Sequence, residues 1–452
     1  MIKKRKIVHL FHFLLLSTFV VLLNEILIIT EPGLQLELPD IFFMIGSLVS
    51  LVWFVLLFDY YSKSYKTLNW IFLLVTFGYF LINVLSLYFT EGRIDFVATN
   101  LEGESSNITF YVDLMDRYKS GYFALSSMTM VYLSLVILPQ IFADRTLHRL
   151  FFYFLVAIVY LISIYSWIVE WPLYEDLYVR FIFGGGNTYG PFSNPNVFGF
   201  YITLAIFGLG YLESIRHHVW HYALMVPLFL TLLPTYNITG YVGTAVFFFI
   251  FFGYDILATY QKNKWFSALK LMVMMGTLYT LLLFFAFDQH PFFVIFRDQV
   301  IPGSIRSFES RFAIWNHGLE IVQGLAFWFG RGVYIAHQLL AEAMSVENFA
   351  TINRFHNGYL DLLATGGIIK VVFYYLIQIG FLIRIVQWIK INPKLGTTML
   401  ALFIGFHLQS IPEAKVLLEA DSMGLISTIL ILTPLGVEPK TVTTQLRFSS
   451  FF

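Results

Sequence analysis

The chain contains no cysteine. That excludes disulfides, thiolate zinc sites, iron–sulfur clusters and cysteine nucleophiles, so any chemistry rests on other side chains. Charge is scarce too. Only 12% of the 452 residues are Asp, Glu, Lys or Arg, about half the share usual in soluble domains. The charges also cancel, with 28 basic residues against 28 acidic ones. No overall field therefore recruits nucleic acid or another polyanion. Disorder and a coiled coil are excluded by the same figures, and the lack of an internal repeat disfavours an inverted-repeat transporter. What fills the chain instead is apolar: 58% hydrophobic residues, 50 of them phenylalanine, and a mean hydropathy of +0.73. That composition belongs in a lipid bilayer.

A spanning helix needs about 20 mostly apolar residues, and suitable segments lie at roughly 7–30, 41–58, 70–90, 121–142, 150–169, 196–213, 220–235, 241–260, 266–287, 358–383, 396–411 and 422–437. They predict an all-α, polytopic transmembrane bundle of about twelve helices, a single membrane domain over 1–452. The first segment follows Met1-Ile-Lys-Lys-Arg-Lys6. Its apolar run is too long for a signal peptide and no small-residue cleavage site follows, so it is read as an anchor. The last is short, and Pro434 ends it early. Most basic residues, among them Lys3, Lys4, Arg5, Lys6, Lys63, Lys66, Arg145, Arg216, Lys262 and Lys394, fall in alternate loops. The positive-inside rule puts those loops and both termini in the cytoplasm.

Two segments then lie outside. One, about 91–120, is polar and reads as a lid or a solvated loop. The other, 288–357, is too long for an ordinary connection, and its helical periodicity and tryptophans predict a partly helical extracytoplasmic loop. It holds Arg297, Arg306, Arg311, Arg331 and Arg354 and no lysine. The guanidinium fork binds phosphate or carboxylate bidentately and stays charged at any accessible pH. Such a set suits an anionic ligand such as a lipid phosphate. The plainer alternative is contact with anionic headgroups or pairing with Glu309, Glu320, Glu342 and Glu347.

Within this loop Arg311, Trp315 and Gly318 share one helical face. Phe329-Gly-Arg-Gly332 is a tight turn that lets backbone approach a ligand or a helix. Arg354-Phe-His356-Asn357 runs into the tenth apolar segment, where a histidine is poised near neutral pH for general-base work. Asn357 and Asp361 stand one turn apart there, Asp361 as a residue that orients the site or both as helix-end groups. His217, His218 and His221 read as ordinary loop residues, and no histidine spacing predicts a metal. Gly190-Pro-Phe-Ser-Asn194-Pro195-Asn196 opens the sixth segment on the same side, with Asn196 as a candidate helix cap.

In this order these elements resemble the O-antigen ligase and polysaccharide polymerase superfamily of bacterial envelopes. The carriers are Gly190 to Asn196, Arg311 with Trp315, Gly330 and Gly332, His356 and Asn357 with Leu360, and Gly367-Ile368. The resemblance spans roughly 185–380. It implies a glycosyltransferase of the bacterial cytoplasmic membrane whose donor glycan rides on undecaprenyl pyrophosphate. His356 would act as base, and Arg311 would hold the pyrophosphate. Arg306, Arg331, Arg354, Trp315, Asn357, Asn194 and Asn196 would line the substrate site, with no metal or cofactor. The partners implied are a lipid-linked oligosaccharide donor and acceptor, the membrane, and other polysaccharide-assembly proteins. Two departures stand out: Asn187 replaces an arginine before the Gly-x-Phe turn, and Asn237-Ile-Thr-Gly-Tyr241 replaces a Ser-Arg-Gly. A second phosphate-binding arginine is thus missing from its usual place, leaving Arg306, Arg331 and Arg354 as candidates for it.

Three readings stay open: a polymerase of lipid-linked repeat units, a ligase moving a finished glycan to another acceptor, and a flippase of the lipid-linked glycan. A flippase predicts charges along the helices lining its passage. Here charge concentrates in loops, apart from Glu25 and Lys370. A metal-dependent lipid-donor glycosyltransferase would need paired acids in the first outer loop, which offers only Glu31, Glu37 and Asp40.

Overall fold

The computed structural model describes residues 27–31, 34–37, 70–99, 103, 105–132, 145–170, 190, 192, 195–232, 235, 237–259, 265, 267, 268, 270–272, 275, 276, 301–345, 354–411, 413, 416, 417, 427 and 431. These residues are mostly helical. Four stretches are long and apolar enough to cross a membrane: Arg149–Val169, Pro195–Ile215, Thr239–Ala258 and Gly358–Ile391. A multi-pass membrane protein follows. The apolar segments predicted at 7–30, 41–58, 266–287 and 422–437 lie wholly or largely outside the described residues, except that Leu27–Glu31 (β1) is a strand. It pairs antiparallel with Leu34–Glu37 (β2). The β-branched Ile28-Ile29-Thr30 and the turn-forming Pro32-Gly33 favour that hairpin over a continued helix.

The remaining elements are helix Trp70–Phe89 (α1), strands Arg93–Thr99 (β3) and Ser105–Tyr111 (β4), and helices Leu114–Tyr132 (α2), Arg145–Tyr165 (α3), Pro195–Ile215 (α4), Val219–Leu232 (α5) and Ile238–Thr259 (α6). Then come Ile301–Ile321 (α7), Leu325–Phe329 (α8), Val333–Ser345 (α9), Gly358–Ile391 (α10) and Pro393–Ser410 (α11). Helix α4 is apolar on every side, which marks a helix at the centre of a bundle. It is buried from Phe198 to Ser214 and packs against α3, α5, α6 and α11. Phenylalanines fill its surroundings, with Phe207 and Phe247 at 4.9 Å between ring centres. The rim is apolar as well. Leu74, Phe77, Leu81, Val84 and Tyr88 of α1 are exposed along one face, which lipid rather than water accommodates.

At one end of the bundle a second, smaller core forms a cap. The polar segment predicted as a lid or solvated loop is the β3–β4 hairpin, in antiparallel register from Arg93↔Tyr111 to Thr99↔Ser105. Its alternation points Ile94 inward against Ile314, Ile321, Leu339 and Phe355 of the cap, while Arg93, Asp95 and Val97 face out. Thr109, opposite Asp95, donates to its carboxylate at 2.7 Å, and this bond, seconded by Arg93, holds the Asp95 carboxyl below its ordinary range. Helix α2 starts at Leu114 rather than near 121 because Asp113 and Asp116 cap each other's backbone N–H reciprocally. Arg117, one residue on, donates to the carbonyls of Leu87 and Thr90, both at 2.9 Å, and so closes the end of α1.

The opposite end is tied by a carboxylate. Glu213, fully buried near the end of α4, accepts from the imidazoles of His217 and His221, from the backbone N–H of His218 at 2.9 Å and from Lys394 Nζ at 3.2 Å. Tyr153 of α3 meets the other side of His221 at 3.0 Å. The three histidines that read as ordinary loop residues thus gather four helices around one acid. Nearby, Asp255 of α6 pairs with Lys270 and accepts from Tyr222.

Candidate active site

The cap is anchored to the bundle at a break in α10. Gly367 there has φ 70°, a conformation that favours glycine, and a Cβ on it would come 2.2 Å from the Trp328 carbonyl oxygen. The break frees the carbonyls of Ala364 and Thr365. They accept from the backbone N–H groups of Arg331 (2.8 Å) and Gly332 (3.0 Å) in the Gly330-Arg-Gly332 turn. The turn therefore approaches a helix, as one of its two sequence readings had it. Freed backbone groups are tolerated at membrane depth only when protein satisfies them, and here the turn does so. Arg331 itself is buried, with Nε donating to the Ile321 carbonyl at 3.3 Å and Nη1 3.4 Å from Glu91. Burial pulls its pKa below the usual arginine value, and Glu91 opposes that pull.

Above the break, α10 begins at Gly358. Asn357 caps it, its Oδ1 accepting from the N–H groups of Tyr359 and Leu360, both at 3.0 Å. Just before the cap, His356 has φ 46°, a left-handed conformation rare outside glycine. The indole of Trp315 donates to the His356 carbonyl at 3.3 Å. Gly318, one turn further along α7, lies against Phe355 and Leu360. The predicted face of Arg311, Trp315 and Gly318 is therefore the face that α7 turns toward this segment.

Arg311 completes it. Its Nη2 lies 2.9 Å from Oε1 of Glu413, and the other oxygen of that carboxylate is 3.9 Å from His356 Nδ1. The side chains of Arg311 and Glu413 are each 13% exposed and that of His356 is 32% exposed. One carboxylate thus stands between the cation and the imidazole that the sequence singled out. Glu413 itself was missed. Its only signal was an acid two residues past the predicted end of the segment at 396–411, in the short connection that follows. Asp361 turns elsewhere, to His337 Nε2 at 2.7 Å, and His317 holds Glu320 at 2.8 Å.

The remaining candidates are dispersed. Arg354 is exposed beside the site. Arg306 lies on the first part of α7, where no side chain is described, and Asn194 falls outside the described residues. Helix α4 opens with Pro195 in its first turn, so Asn196 lies inside the helix rather than at its cap. Its carbonyl accepts from Asn237 Nδ2 at 3.0 Å. Asn237 meanwhile caps α6, its Oδ1 accepting from Thr239 Oγ1 and Gly240 N. Neutral amides and hydroxyls thus occupy the place where the superfamily carries its Ser-Arg-Gly.

Residues 223–375 match the family described as O-antigen ligase. The matched span takes in Arg311, Trp315, His356 and Asn357, and leaves Asn196 and Glu413 outside it. No curated protein matches the chain.

Proposed function

We propose that this protein, a member of the O-antigen ligase and polysaccharide polymerase superfamily through residues 223–375, polymerises oligosaccharide repeat units carried on undecaprenyl pyrophosphate. The observation that carries this reading is the meeting of Arg311 and His356 around Glu413, at 2.9 and 3.9 Å. A permanent cation suited to pyrophosphate and a base suited to a sugar hydroxyl stand one carboxylate apart.

The reaction needs few parts. The acceptor hydroxyl attacks the donor's anomeric carbon, and His356 takes its proton. The bond from that carbon to the phosphate oxygen breaks, and its electron pair leaves with the lipid pyrophosphate, whose charge Arg311 balances. Arg354 and Arg306 are the further arginines assigned to the donor, Trp315 fixes the His356 backbone, and Asn357 fixes the helix behind it. The chain is a single membrane domain of about twelve spans in the bacterial cytoplasmic membrane, with both termini inside and the cap outside.

The test uses purified protein and a lipid-linked repeat unit. The wild type yields chains of many repeats in the presence of a metal chelator, whereas His356→Ala yields none at equal protein. Transfer only to a different acceptor would make it a ligase. Equal chains from both proteins would remove His356 from the chemistry. For topology, cysteines placed at Ser105 and Ser345 react with an impermeant reagent on intact cells, and one at Asn263 reacts only after permeabilisation. The reverse pattern would put the cap on the cytoplasmic side.

A further inference from the structure

Glu413 has a place in the site that the chemistry above does not use. Its carboxylate is divided: Oε1 rests on Arg311 Nη2 at 2.9 Å, while Oε2 stops 3.9 Å short of His356 Nδ1. The same fold shows what a carboxylate with a purely structural task looks like. Glu213 is 0% exposed and takes bonds from two imidazoles, a backbone N–H and a lysine. Glu413 has one close ion pair, partial exposure, and an imidazole just outside hydrogen-bonding distance. While it stays on Arg311, the pair is neutral and the guanidinium fork is half occupied. A pyrophosphate diester brings two negative charges to compete for that fork.

We infer that Glu413 is a positioning residue that holds Arg311 while the site is empty, yields it to the donor's pyrophosphate, and then pairs with His356. This rests on the polymerase reading above. The closing movement is short, about one ångström to reach hydrogen-bond length. The acceptor of that bond is a carboxylate and the donor is Nδ1–H, so Nε2 is left as the lone-pair nitrogen facing the acceptor hydroxyl. When Nε2 takes the hydroxyl proton, the carboxylate stabilises the imidazolium that results. The proton then returns to solvent or to the departing pyrophosphate. The base is therefore at full strength only with donor bound, which limits wasteful work at an empty site. The other titratable and charged groups described at this end are Arg354, two residues before His356; His337 and Asp361, which hold each other at 2.7 Å; Arg331 beside Glu91; His317 on Glu320; and His407 of α11, which meets the Tyr359 hydroxyl at 2.8 Å.

The experiment compares full-length wild type with Glu413→Gln, measuring kcat against pH with the lipid-linked repeat and Kd for undecaprenyl pyrophosphate. A carboxylate beside an imidazole favours its protonated form, so removing the charge moves the acid limb of the kcat profile to lower pH. With it kcat falls about 10- to 100-fold, a part of the range general-base assistance spans. Donor Kd stays the same or tightens, because glutamine does not compete for Arg311. A weaker Kd with an unmoved limb makes Glu413 a clamp for Arg311 and overturns the inference. Glu413→Asp keeps a carboxylate but shortens its reach. It retains the limb and binds donor at least as tightly as wild type, and a tenfold weaker Kd there overturns the inference even where the glutamine variant fails to accumulate. Arg311→Ala and His356→Ala separate the two levels. If both make chains at the parent rate, the polymerase reading fails. If both are inactive while Glu413→Gln behaves as wild type, that reading stands and the role of Glu413 does not.

Discussion

The two ends of the bundle each set a carboxylate among basic groups, and they differ in how much they leave open. At the Glu213 end the acid is sealed, and its donors are His221 on α5, Lys394 on α11, and His217 with the His218 backbone N–H in the short link before α5. At the Glu413 end the acid has one firm partner, a second at 3.9 Å, and a route to the surface through a partly exposed His356. An acid, a histidine and a permanent cation are present in both places. Chemistry separates from architecture by unmet bonds and access, since a saturated buried acid has nothing left to offer a substrate.

Substitution at the cap end breaks that contrast most sharply. His356→Ala is expected to lower the rate of chain formation about 10²- to 10⁴-fold at unchanged abundance, measured by product length on gels. Arg311→Lys should be impaired as well, because an ammonium does not reproduce the planar fork. At the other end Glu213→Ala should act on stability instead. Removing one partner of a buried ion pair costs about 3–5 kcal/mol, read as a lower thermal midpoint in detergent and reduced membrane abundance, while the pH profile of the surviving enzyme stays that of the parent. A changed pH profile there would erase the distinction between the ends.

Smaller effects sharpen it. Gly367→Ala forces a left-handed position on a residue with a Cβ, costing about 1–3 kcal/mol in backbone strain before the clash with the Trp328 carbonyl is counted. It should loosen the cap, seen as faster proteolysis within 322–333. Asn357→Ala should remove a helix cap worth about 1 kcal/mol, and Asn357→Ser should restore most of it. A fall in activity that serine does not rescue would give Asn357 a substrate contact beyond capping.

Much of this was legible beforehand because it is local. Apolar runs of spanning length require helices once backbone groups leave water, and a 3.6-residue period fixes which side chains of α7 share a face. Arg311, Trp315 and Gly318 were therefore legible as one face, as was the place of His356 at the mouth of the tenth apolar segment. The β3–β4 hairpin was missed because the acids and other polar residues of 91–120 dominate its composition and mask the short inward alternation of Ile94, Phe96 and Ala98. Asn196 was misjudged as a cap because Pro195, one residue earlier, already takes the first helical turn.

Sequence alone thus determined the solvent this chain folds in, the faces of its helices and the residues able to carry charge or protons near neutral pH. Each of these follows from composition or from a period of a few residues. Tertiary structure decided which of those residues meet. Arg311 and Glu413 are 102 positions apart, a separation that leaves no periodic trace. The contact exists because α7 of the cap and the end of α11 are brought to one end of the same bundle, as the break in α10 receives the Gly330-Arg-Gly332 turn. Packing also divided the acids, sealing Glu213 among four donors and leaving Glu413 with one.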